Sequence, residues 1–476
     1  MSSDSLYAAR EPVFPRRVSG RFRSLKWIIM AVTLGIYYIV PWLRWDRGPA
    51  LPDQAVLVDL ANRRFFFFFI EIWPHEFYFI AGLLIMAGLG LFLFTAALGR
   101  VWCGYACPQT VWTDLFILVE RWIEGDRNAR LKLHRQKKWD LRKLRLRVTK
   151  IFAWILIALA TGGAWVFYFA DAPTLLRDLV TGQAHLIAYS TVGILTATTF
   201  FFGGFAREQI CIYACPWPRI QAAMMDEDTL TVGYREWRGE PRGKLQKEVD
   251  PNAPPQGDCI NCMACVNVCP TGIDIRDGQQ MECITCALCI DACDDMMEKI
   301  GKPRGLIDYL ALSDEPLERA GTPPRPIWKH VFRLRTMVYT GLWSLVGVLL
   351  IVALLMRSDI DVTVAPVRNP TFVTLSDGSI RNTYELRMRN KHGEERRFEI
   401  GIESSEALSL SIEGSEDMSV TVDPDSMRLQ RVYVVAPKTS QAAQGALSDL
   451  TFWIEDSISN ERAHKDTVFH GKGNGQ

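Results

Sequence analysis

Twelve cysteines fall between Cys103 and Cys293 of a 476-residue chain, and none lies outside that stretch. Their tight, repeated spacings point to metal; a disulfide scaffold would scatter its cysteines through a small secreted domain. Eight form two runs, Cys259-x2-Cys262-x2-Cys265-x3-Cys269-Pro270 and Cys283-x2-Cys286-x2-Cys289-x3-Cys293. This is the bacterial ferredoxin spacing written twice. Three closely spaced thiolates wrap three corners of a cubane, and the fourth iron takes a cysteine from the other run. Cys259, Cys262, Cys265 and Cys293 are expected on one [4Fe–4S] cluster, and Cys283, Cys286, Cys289 and Cys269 on the second. Zinc, the competing ion, prefers two knuckles per site over three cysteines in succession. Asp294 stands where the first run has Pro270, a change that removes no ligand. Two clusters with exchanged ligands lie close together, so the expected chemistry is one-electron transfer and not hydrolysis.

The other four cysteines form a repeated element, Cys103-Gly104-Tyr105-Ala106-Cys107-Pro108 and Cys211-Ile212-Tyr213-Ala214-Cys215-Pro216. Cysteines four apart share a helical face, and the following proline is expected to end that helix. Each element follows an apolar segment, so a unit of two spans plus C-x3-C-P occurs twice in the same orientation, as in a parallel repeat. If a twofold axis relates the units, four thiolates converge on a soft site suited to Cu(I), zinc or an iron–sulfur cluster. The alternative is two small buried cysteines at each helix end. His75 and His185 open the segments preceding the two elements. They form either an outer-face pair for a quinone or metal, or ordinary interfacial histidines.

Five apolar stretches are long enough to position these elements across a membrane: Trp27–Leu43, Phe77–Leu98, Ile151–Ala170, Leu186–Phe205 and Thr336–Met356. The first lacks a small-residue cleavage site and is expected to be a retained helix, not a removed signal peptide. Lys and Arg crowd the N-terminal tail (Arg16, Arg17, Arg21, Arg23, Lys26) and the stretch Arg127–Lys150, whereas Asp171–Gln183 holds only Arg177. The positive-inside rule therefore places the N-terminus and the cysteine-rich loop in the cytoplasm and the C-terminus outside. The five consecutive phenylalanines within Arg63–Glu76 compete with this topology as a half-inserted interfacial segment. The basic stretch Arg127–Lys150 is expected to contact anionic lipid, and His134, His330, His392, His464 and His470 to be surface residues. The net charge of +1 offers no field for nucleic acid.

The C-terminal tail alternates apolar and polar residues, with strands expected at Thr383–Met388, Arg397–Ile402, Met418–Val422, Arg431–Val435 and Leu450–Ile454. About seven strands in some 110 residues suggest an immunoglobulin-like sandwich, most simply a docking or bracing domain. The expected fold is a five-helix membrane protein with an inserted α+β ferredoxin domain and a C-terminal all-β sandwich. Its parts are a tail (1–26), four spans (27–205), the ferredoxin domain (206–334), a fifth span (335–357) and the β domain (358–476).

The two C-x-Y-A-C-P elements, the eight-cysteine segment, the segment Gly301-Lys302-Pro303-Arg304-Gly305 and the β tail together resemble the CcoG/FixG/RdxA family over nearly the whole chain. That resemblance implies an inner-membrane accessory protein for assembly of the copper-containing cbb-type cytochrome oxidase. It further implies reduction of Cu(II) to Cu(I). Because Cu(I) prefers thiolates, copper is expected at Cys103, Cys107, Cys211 and Cys215. The implied partners are copper chaperones or oxidase assembly factors and a cytoplasmic or quinol electron donor, with a homo-oligomer compatible. Two other readings stand beside it: a quinol-oxidising respiratory subunit, as in the membrane polyferredoxins of nitrate and nitrous oxide respiration, and a non-catalytic scaffold.

Overall fold

The structure, a computed structural model, describes residues 12–48, 51–245, 256–357, 360–415 and 417–473. The first eleven residues of the expected tail and the side chain of His75 lie outside the described residues. The chain divides into two compact units, Met1–Leu43 with Gln54–Leu350 and Arg44–Asp53 with Ile351–Gln476.

Among the described residues five helical segments are long and apolar enough to cross a membrane: Arg21–Trp42, Tyr78–Leu98, Leu141–Val166, Leu186–Ala206 and Leu334–Leu355. They match the five expected stretches, with one instructive difference. The third helix begins at Leu141 and not at Ile151, because Asp140 caps it by accepting from the Lys143 backbone N–H. Much of the basic stretch is thus the helical approach to the membrane. In chain order the first unit contains helices α1 (Arg21–Ile39), α2 (Tyr78–Leu98), α3 (Val101–Tyr105), α4 (Pro108–Glu124), α5 (Arg127–Arg135), α6 (Leu141–Val166), α7 (Ala172–Thr181), α8 (Leu186–Phe201) and α9 (Trp217–Met224).

The phenylalanine run forms a small antiparallel sheet, β1 (Val56–Asp59), β2 (Arg64–Phe67) and β3 (Ile70–Ile72). Aromatic residues favour strands, and left-handed turns at Arg63 and Phe68 close its two hairpins. Phe66 is buried while Phe67 and Phe69 are exposed, so the run is divided between two faces.

The basic stretch is also less solvated than its composition suggests. Glu120 on α4 pairs with Arg130, with Lys150 at 3.6 Å and with Arg207 at 2.7 Å; Glu124 pairs with Lys150 at 3.0 Å and Arg147 at 3.1 Å. The Lys150 ammonium and the Arg207 guanidinium both lie over the Trp154 ring. Burying several charges is tolerable only because the two glutamates sit among their counter-charges. Nearby, Asp114 on α4 holds Arg23 at 3.0 Å and Lys26 at 3.1 Å, which fixes α1 to α4. His330, expected on the surface, is buried, with its Nε2 2.8 Å from Asp314; the carboxylate supplies the partner that a buried imidazole needs.

The cysteine-rich part is built on a ribbon of β4 (Thr231–Tyr234) and β5 (Ile307–Leu310), with helices Ala264–Val268 and Leu288–Lys299. It is joined to the membrane helices directly. The backbone N–H groups of Phe22 and Arg23, in the first turn of α1, donate to Asp291 at 3.2 and 2.7 Å. A cysteine-bearing helix of this part thereby supplies the N-terminal cap of a membrane-length helix.

In the second unit, β6 (Ile360–Pro366), β7 (Val373–Thr374), β8 (Ile380–Asn390), β10 (Ser409–Ile412) and β12 (Ser426–Ala436) make one sheet. A second sheet contains β9 (Arg396–Glu403), β11 (Ser419–Val422), β13 (Leu447–Asp456) and β14 (Arg462–His470). Alternate residues of β8, among them Tyr384, Leu386 and Met388, meet Phe398, Ile400, Phe452 and Ile454 of the other sheet in a buried core. The Tyr384 hydroxyl crosses the sandwich to donate to the Val468 carbonyl at 2.7 Å.

Candidate metal centres

The two ferredoxin runs wind identically. Asn261 and Met263 in the first, and Thr285 and Ala287 in the second, all adopt left-handed backbone at matching positions between the cysteines. Each such residue costs about 1 kcal/mol or more outside glycine, so the same pair of departures in both runs marks a shape the chain must hold. It turns three successive thiols to one side and gathers backbone N–H groups toward them, as in the amide nests that cradle anionic clusters.

Cys259, Cys262, Cys265 and Cys293 line one pocket, whose remaining wall includes Met297, Leu306 and Ile307. Cys269, Cys283, Cys286 and Cys289 line a second, walled by Val232, Ile275 and Ile284, and Cys265 lies between the two. Burial pushes the Cys265, Cys286 and Cys293 thiols up to about 12 and raises Cys283 and Cys289 as well. Buried thiolates of this kind need a positive partner. Eight thiols in two apolar pockets, closed by left-handed turns, fit two iron–sulfur clusters. Asp294, at the position of the missing proline, accepts from the Gly305 N–H at 2.9 Å and so anchors the following loop.

The C-x3-C-P elements sit against this domain unequally. Cys103 lies in α3 and Cys107 caps α4, so Pro108 starts a helix where the sequence suggested it would end one. Proline is at ease at a first helical position because its missing N–H would have no partner there. In the second element Cys211 lies in a π-helical turn, Ile210–Ala214, and Cys215 follows it, with Pro216 leading into α9. Four residues before each first cysteine the backbone is left-handed, at Gly99 and at Arg207. The repeat seen in the sequence therefore extends to conformation.

The two elements bring their thiols into one neighbourhood. Burial, joined by the charges of Cys107, Cys103 and Cys215, pushes the Cys211 thiol up to about 12; burial also raises Cys103. The Cys103 thiol donates to the Gln221 side-chain oxygen at 3.2 Å, and Gln221 is fully buried. Among the described residues no three Cys, His, Asp or Glu side chains close on a point as a single-ion site requires. The four thiols are gathered without forming a finished single-ion site. His185 is exposed at the start of α8, and His75 lies in the turn Pro74–Glu76 before α2.

Contact between the membrane-surface thiols and the ferredoxin part runs through residues that cysteine spacing did not reveal. A Cβ on Gly104 would lie 2.6 Å from the Ile284 carbonyl oxygen and 2.9 Å from the Cys286 Cα. The Tyr105 hydroxyl donates to the Cys286 carbonyl at 3.2 Å, and the Arg100 guanidinium donates to the Met281 carbonyl. The available signal was the one position at which the elements differ in kind, glycine in the first and isoleucine in the second.

Comparison with known proteins covers all three parts. A model described as a 4Fe-4S dicluster domain matches residues 206–312, and one described as a 4Fe-4S binding domain matches residues 79–127, which include Cys103 and Cys107. A model of the IG-like fold at the C-terminal of FixG matches residues 350–472. Protein RdxB of Cereibacter sphaeroides is 71% identical over 99% of this chain and 98% of its own. Protein RdxA of the same organism is 65% identical over 98% of this chain and 99% of its own. Nitrogen fixation protein FixG of Rhizobium meliloti is 52% identical over 96% of this chain and 92% of its own.

Proposed function

This chain belongs to the FixG/RdxA family and is a membrane iron–sulfur electron-transfer protein; on that premise we propose that it reduces Cu(II) to Cu(I). The copper serves assembly of a cbb-type cytochrome oxidase and meets the protein at Cys103, Cys107, Cys211 and Cys215. Its partners are then copper chaperones or oxidase assembly factors. One observation carries the reading: Gly104 and Tyr105, between the cysteines of the first element, seat directly on Cys286 of the second ferredoxin run.

The residues divide the work. Cys259, Cys262, Cys265 and Cys293 would hold one [4Fe–4S] cluster, and Cys283, Cys286, Cys289 and Cys269 the other. Such clusters supply one-electron transfer, at potentials that their surroundings set over a wide range. The four membrane-surface thiols suit Cu(I), which prefers soft thiolate ligands, over Cu(II), so binding itself favours the reduced product. Gly104 keeps the two groups of sulfur ligands in backbone contact, and the carbonyl bonds from Tyr105 and Arg100 fix their register. The Lys and Arg distribution supports a bacterial inner-membrane topology with the N-terminus and ferredoxin part cytoplasmic and the β unit periplasmic.

The test is anaerobic. The purified chain is reduced with dithionite, and reoxidation is followed in the visible spectrum on adding Cu(II). Fast reoxidation is expected, at least tenfold slower when Cys103, Cys107, Cys211 and Cys215 are all replaced by Ala, with the iron content unchanged. Equal rates in both proteins would place the copper contact elsewhere.

A further inference from the structure

A pocket of about 380 Å³ lies between α1, α4, α6 and α8, beginning at Pro108, the residue after Cys107. That volume suits a small organic ligand. None of its lining residues carries a charge. Tyr37, Trp112, Trp165 and Phe202 give it aromatic surface, and Tyr37 and Trp112 meet edge to face at 5.2 Å. Thr161 ties the deep end together. It accepts from the Trp112 ring N–H at 2.9 Å, its carbonyl accepts from the Tyr37 hydroxyl at 2.7 Å, and its hydroxyl lies 2.8 Å from that of Tyr38. At the cysteine end the Gln109 amide N–H donates to the carbonyls of Phe202 and Arg207 at 3.0 and 3.2 Å. Among the described residues no donor reaches the Gln109 amide oxygen. Phe202 opens a π-helical turn, a local departure that often accompanies a binding site. Phe202 and Trp165 are also exposed, so the rim meets the surface that the spans turn to lipid.

These features select the ligand class. Neutral walls within membrane spans disfavour charged electron donors, which would have to shed their hydration without a counter-charge. Aromatic faces suit a flat ring, and an acceptor oxygen at one end suits a ring hydroxyl. The rim on the lipid side suits an apolar tail. We propose that this pocket binds a lipid-soluble hydroquinone, which is the protein's electron donor. The ring breaks its two O–H bonds and leaves as the quinone. Its two electrons would be taken one at a time by the clusters that the ferredoxin thiols would hold, and its two protons go to water. Gln109 orients the hydroxyl nearest Cys107, while Tyr37, Trp112 and Trp165 hold the ring. The proposal rests on the ferredoxin thiols being cluster ligands and is independent of copper as the acceptor.

The full chain in lipid nanodiscs provides the test, with decylubiquinol as reductant and an azido-quinone as photolabel. Decylubiquinol is expected to bleach the cluster absorbance anaerobically, and the photolabel to mark peptides of α4 and α8 in competition with unlabelled decylubiquinone. Thr199→Trp, which fills the pocket, and Gln109→Leu, which removes the acceptor, should each slow bleaching and reduce labelling at least tenfold. Dithionite should still reduce both variants fully, which shows that they are folded and loaded. Failure of the unaltered chain to be reduced by decylubiquinol would overturn the proposal. So would unchanged rates in Gln109→Leu, or labelling that excess phospholipid removes and decylubiquinone does not, the mark of an acyl-chain groove. Reoxidation of the dithionite-reduced chain by Cu(II) is a separate measurement and stands or falls alone.

Discussion

The two C-x3-C-P elements are copies in sequence and unequal in surroundings. The first is an α-helical turn pressed on the ferredoxin part, with Tyr105 buried and Gly104 too close to Cys286 to bear a side chain. The second is a π-helical turn with Tyr213 largely exposed and Ile212 where the first has glycine. Even the shared left-handed bend is made differently. Gly99 adopts it freely, whereas Arg207 is held there while its guanidinium pairs with buried Glu120. Repetition thus supplied two thiol pairs, and divergence assigned one to the cluster-bearing part and the other to the helix bundle. Symmetry in sequence does not require symmetry in surroundings.

Substitutions can break that contrast. The largest effect is expected from Gly104→Val, which forces Cβ into the Ile284 carbonyl and the Cys286 backbone. It should cost about 3 kcal/mol and lower the iron content of the purified chain, whereas Ile212→Val should cost under about 1.5 kcal/mol. Iron analysis and thermal melts of both variants decide it, and equal losses would end the assignment of the cluster contact to the first element. Similar in size is Arg207→Ala, which removes one of the partners of buried Glu120 and should destabilise by about 3 kcal/mol. Arg207→Gly should recover about 1 kcal/mol of that by relaxing the left-handed bend; identical melting of the two variants would deny that the bend is strained. The smallest is Tyr105→Phe, expected to cost about 1 kcal/mol through the lost bond to the Cys286 carbonyl. The same change at largely exposed Tyr213 should cost less, and a reversal of that order in denaturant titrations would reverse the contrast itself.

Much of this molecule was legible because its strongest signals are local. Ligand spacing in a cluster loop and the length of an apolar span are both set within a few turns of chain, so the two ferredoxin runs and all five spans stand out. The same holds for β8, whose buried and open residues alternate throughout. By contrast, β14 (Arg462–His470) is mostly polar because it pairs along one edge only, with β13, and no alternation announces it. The pairing of Arg130 and Lys150 with Glu120 and Glu124 was also hidden. A basic run has the same composition whether water or two glutamates neutralise it, and only the folding of α5 and α6 against α4 decides between them. Pro108 misled for a related reason: a proline both stops and starts helices, and the difference lies in the residues on its C-terminal side.

The cap that Asp291 places on α1 joins residues 268 positions apart. At ordinary rates of translation the first membrane helix is made roughly 15 to 50 seconds before its cap leaves the ribosome. During that interval the first-turn amides of α1 have only water as a partner, which requires that end of the helix to wait at the membrane surface. The span is therefore inserted early and finished late, when the iron-binding segment reaches it.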